Sequence, residues 1–79
     1  MILKRAPRTR EGLARLDAVM DSYLQWRAES RAVDELYRTW RSAPRPSRDV
    51  AFDEYLAALD REEHAARGYR RVVQETQRA

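Results

Sequence analysis

Cysteine is absent from this 79-residue chain, which excludes disulfides and thiolate metal sites as supports for the fold and suits a cytoplasmic setting. Glycine occurs twice, as the isolated Gly12 and Gly68, so no glycine-rich loop is available to cradle a phosphate. No apolar run approaches the length that spans a bilayer. The opening segment Met1–Arg8 carries positive charge with no hydrophobic stretch behind it, so neither a secretory leader nor a membrane partner is expected.

Histidine is nearly absent too. His64 follows Asp60 by four residues, a spacing that places both on one helical face, but a metal site needs further ligands. In helical di-iron proteins a glutamate stands three residues before the histidine; that place is held here by Arg61. The serines at 22, 30, 42 and 47 have no histidine within reach for a hydrolytic triad. No catalytic residue, metal or cofactor is expected, and the chain does not read as an enzyme.

What the sequence does contain is charge and rhythm. Charged residues make up 37% and the mean hydropathy is −0.86, yet hydrophobic residues reach 43% and recur at regular spacing. That combination favours folded helices over disorder. From Thr9 to Arg41 there is no proline, and two heptad columns run in parallel: Leu16, Tyr23, Ser30, Tyr37 and Val19, Trp26, Val33, Trp40. They predict a first helix over about 9–41. Pro44 and Pro46 interrupt it, since proline lacks the amide donor and pushes its predecessor out of helical geometry. Ser47 stands where an N-cap belongs, followed by Asp49, Asp53 and Glu54 in the first turns. A second helix is predicted over about 48–77, with a seam of Phe52, Tyr55 or Leu56, Leu59, Glu62, Ala66, Tyr69 and Val73.

Two helices of matching length joined by a short turn, 42–47, read as an antiparallel hairpin, an all-α domain spanning 9–79 behind a flexible basic arm, 1–8. Residues facing each other then have numbers summing to about 90 if the turn centres near Pro44 and Arg45. Trp26 falls opposite Glu62 and Glu63, with its indole N–H in reach of a carboxylate. Glu62 in an apolar seam is costly unless Trp26, Ser30 or Arg27 satisfies it; a polar layer of this kind sets register more often than it performs chemistry.

A chain this short builds a core near the lower limit of independent stability. Leu13, Met20 and Leu36 flank the first seam, and Ala51, Ala58, Ala65 and Val72 form a column of smaller side chains on the second helix. These are the expected partner-binding residues, and the expected assembly is a homodimer forming a four-helix bundle. The primary expectation for function is protein–protein interaction, with a second copy or another helical protein as partner.

Charge supplies an alternative. Residues 1–15 carry +4 and residues 65–79 carry +3, and an antiparallel hairpin brings both to one end. The resulting basic pole of Lys4, Arg5, Arg8, Arg10, Arg67, Arg70 and Arg71 can attract nucleic-acid phosphates without sequence preference. No nucleic-acid reading module accompanies it.

Trp40-Arg41-Ser42 at the bend between two long helices, followed by Ala51-Phe52, resembles the WXG-type secreted helical hairpins. The resemblance implies a hairpin and, as a minor alternative, export. Ser42 occupies the position of that motif's glycine, two prolines intrude in the bend, and no tyrosine-plus-acid export signal is evident at the C-terminus.

Overall fold

A computed structural model describes residues 9–78. The first helix, α1, spans Arg10–Ser42. Its start is set by Thr9, whose extended backbone (φ −85°, ψ 154°) turns the side chain inward so that Oγ1 accepts from the Gly12 amide at 3.0 Å. Glu11 adds negative charge to the first turn, where amide dipoles favour it. Its end is set by Pro44, which forces the preceding Ala43 to extended geometry (φ −67°, ψ 135°).

A single 3₁₀ turn, Arg45–Ser47, follows and runs directly into α2, Arg48–Arg78. This corrects the expected capping role of Ser47. The helical geometry already begins after Pro44, so Ser47 lies inside the turn and its hydroxyl donates back to the Pro44 carbonyl at 3.3 Å instead of accepting from α2. Pro46 fits there because the amides of a first helical turn have no partner to lose.

The two helices pack antiparallel as a hairpin. Cross-hairpin partners have numbers summing to between 88, for Trp26 with Glu62, and 95, for Trp26 with Tyr69. The molecule is a rod of 58 × 22 × 19 Å with a radius of gyration of 18.0 Å, against roughly 12 Å for a compact chain of this length.

Which residues face the seam differs from the sequence expectation in one column on each helix. Val19, Trp26, Val33 and Trp40 do face α2, but the column beside them is Ser22, Glu29, Leu36 and Ala43; Leu16, Tyr23 and Tyr37 stand one step out and are exposed. On α2 the alanine column is inside: Ala58 has 0% of its surface accessible and Ala51 7%. The reason is steric. Alanines let the two backbones approach, and rings too large for the narrowed gap lie across its edge.

Only Gly12, Ala43, Ala51 and Ala58 are buried among the described residues, and no side chain larger than alanine is.

Candidate interaction surface

Because the alanine column closes one edge of the seam, the aromatic rings collect at the other. Tyr23, Trp26 and Tyr69 form one cluster; Tyr37, Trp40 and Tyr55 form a second, two heptads nearer the turn. The two are near copies. Trp26 stacks on Tyr69 at 5.7 Å and 10°, Trp40 on Tyr55 at 5.6 Å and 9°. Each indole also meets the tyrosine three residues before it edge-on, at 6.1 Å and 5.9 Å. Phe52 joins the second cluster against Trp40 at 5.0 Å. All seven aromatic residues of the chain thus lie along one edge of the seam.

Between the clusters sits a polar layer. The Trp26 indole N–H donates to Glu62 Oε2 at 2.6 Å, as the residue-sum map predicts, and the Ser30 hydroxyl donates to the same oxygen at 3.4 Å. Both carboxylate donors come from α1, so the acid is held across the hairpin. Arg27 contributes differently, resting over the Trp26 ring at 6.0 Å.

Leu16, Tyr23 and Tyr37 from α1 and Leu56 and Leu59 from α2 extend this aromatic side outward, all exposed, with Leu13 and Met20 next to them on α1. A groove of about 310 Å³ lies on the same side, lined by Trp26, Ala66, Tyr69, Arg70, Val73 and Gln74. The opposite edge is polar: Arg61 pairs with Glu29 at 3.6 Å, and Gln25 donates to Glu29 at 3.1 Å. Most exposed apolar side chains thus gather on the aromatic side, while Leu24 and Val50, the latter beside Thr39 and Glu54, are exposed elsewhere.

The expected partner-binding residues divide. Leu13 and Met20 are exposed beside the aromatic side, Met20 to 55%. Leu36 is half-buried in the seam, Ala65 and Val72 are half-buried, and Ala51 and Ala58 are enclosed. Ala51 and Ala58 are therefore a correction: they are occupied by α1 within the hairpin and present no outward surface. Leu16, Tyr23, Leu56 and Leu59, which the sequence pattern assigns to the seam, take their place outside.

Of the basic pole, Lys4, Arg5 and Arg8 lie outside the described residues. Arg10, Arg67, Arg70 and Arg71 are all exposed; Arg67 is tied to Glu63 at 2.7 Å, and Arg70 edges the aromatic groove. His64 and Asp60 are exposed on α2, and no group of three or more residues able to hold a metal ion occurs among the described residues. No described helix is long and apolar enough to cross a membrane.

Comparison with family models, with curated proteins and with solved structures finds no match. The likeness to WXG-type hairpins therefore rests on the layout and on Trp40-Arg41-Ser42 alone.

Proposed function

We propose that this chain is a non-enzymatic interaction module whose aromatic side docks against helices. The observation that carries the reading is the imbalance between core and surface. Among the described residues no side chain larger than alanine is buried, while leucine, methionine and tyrosine side chains line one side of a two-helix rod. A continuous apolar patch along a rod marks an interaction site, and its three-and-four spacing suits helical partners. A cytoplasmic setting fits the lack of cysteine.

The test is a photoreactive amino acid installed at Leu59, on the aromatic side, or at Glu54, on the polar side, in cells that make the chain. Protein adducts are expected from position 59 and not from position 54. Equal yields at both positions, or none at 59, overturn the reading; adducts to nucleic acid instead would move the function to the cationic end.

A further inference from the structure

Resting on that reading, we propose that the aromatic side is covered by a second copy of this chain, related by a two-fold axis parallel to the rod, with both turns at the same end. Charge rows on the outward faces of the two helices carry the inference; on α2, Asp60 and Glu63 border a groove that also reaches Gln25 and Glu29 of the polar edge. Along α1 the row nearest the turn is cationic, with Arg27, Arg31, Arg38 and Arg41, broken only by Asp34. Along α2 the corresponding row is anionic, with Asp49, Asp53, Asp60 and Glu63. All eight are exposed, and the ion pairs among the described residues engage only Glu63 of the eight, through Arg67.

A two-fold axis along the rod lays α1 of one copy on α2 of the other without shifting either lengthwise. Residues then meet by the same residue-sum rule that holds within the hairpin. Arg27 meets Glu63, Arg31 meets Asp60, Arg38 meets Asp53 and Arg41 meets Asp49, each pair summing to 90 or 91. On the aromatic side the same rule sets Tyr23 level with the small Ala66 and Leu59 with the small Ser30, Leu16 level with Val73 and Tyr37 with Phe52, while Asp34 falls level with Leu56. No adjustable register enters. A two-fold axis across the rod instead lays α1 on α1, so the cationic row never meets the anionic one, and Arg27, beside the midpoint of α1, faces its own copy.

The area suffices. A face 58 Å long and 22 Å wide offers on the order of 1,000 Å², and a stable interface uses roughly 800 Å² per partner. In the bundle so formed every neighbouring pair of helices is antiparallel, which aligns their dipoles favourably.

The experiment uses the full chain in three arms. Sedimentation equilibrium is expected to give twice the 9.4 kDa chain mass. A spin label on Arg45→Cys, the only thiol, is expected to show an inter-label distance of roughly 20–30 Å, because helices in contact lie about 10 Å apart; a two-fold axis across the rod gives about 50 Å. The third arm is charge reversal. Arg31→Glu and Asp60→Arg should each weaken the dimer roughly tenfold, since both symmetric pairs turn repulsive. Mixing the two variants should restore affinity in trans, as the double variant does in cis.

A monomer at high micromolar concentration overturns the second copy while leaving the cross-linking result to judge the interaction reading separately. A dimer with distant labels overturns the orientation. Rescue in cis alone, with circular dichroism unchanged, assigns the pair to the hairpin itself and overturns the intermolecular contact.

Discussion

At the scale of single residues, the two most constrained positions are small or polar rather than aromatic. Ala58, on the α2 face packed against α1, has no accessible surface. Ala58→Leu adds three carbons where nothing can move aside cheaply, and is expected to cost about 1–3 kcal/mol; its exposed neighbour control, Ala57→Leu, should change stability by less than about 0.5 kcal/mol. Urea unfolding monitored by circular dichroism measures both. Equal effects would mean that the helices do not meet at the alanine column. Glu62 is constrained differently. The Tyr–Trp–Tyr clusters are so alike that a hairpin slipped by two heptads could rebuild ring contacts, pairing Trp26 with Tyr55 and leaving Glu62 opposite Gly12 and Leu16. Slippage would strip Glu62 of both Trp26 and Ser30, leaving a carboxylate among apolar groups. The polar layer therefore breaks a degeneracy that the aromatic repeats create.

At the scale of elements, the helices owe their limits to local chemistry. Thr9 satisfies the Gly12 amide, and its replacement by alanine is expected to cost about 1 kcal/mol, with Thr9→Ser near neutral. Thermal unfolding of the two variants, side by side, checks this; identical midpoints for alanine and serine would show that the cap contributes nothing. Such limits are legible in a sequence because they depend on a few adjacent residues. Pro44 and Pro46 end α1 and begin the next turn whatever the rest of the chain does. Facing is less legible. Leu16, Tyr23 and Tyr37 form a more hydrophobic column than Ser22, Glu29 and Leu36, so periodicity alone draws the former into the seam. Helix separation decides otherwise: the alanines of α2 bring the axes together, and bulky columns move to the rim. That distance is a property of two elements together, and nothing in the spacing of either one reports it. Trp26 opposite Glu62 was legible because it depends only on turn position and register, both fixed by the prolines. Ser47 was not, because a serine after proline suits a cap and a 3₁₀ turn equally well.

At the scale of the whole molecule, the described residues bury no side chain larger than alanine, so the proposed partner over the aromatic side would complete the rod's stability. For a self-associating rod the unfolding midpoint rises with protein concentration, because folded dimer competes with unfolded monomer by mass action. Thermal scans between low and high micromolar chain are expected to show an upward shift of several degrees. A midpoint that stays constant over that range would mark the hairpin as self-sufficient and withdraw the argument from its thin core.

Both indoles sit along the same edge of the seam, one in each ring cluster. Intrinsic fluorescence is therefore a one-sided gauge of this molecule. Anything that settles over that edge changes the polarity around both emitters at once and shifts their spectrum, whereas a ligand on the polar edge goes largely unseen. The chain carries its own reporter for the surface proposed to dock a partner.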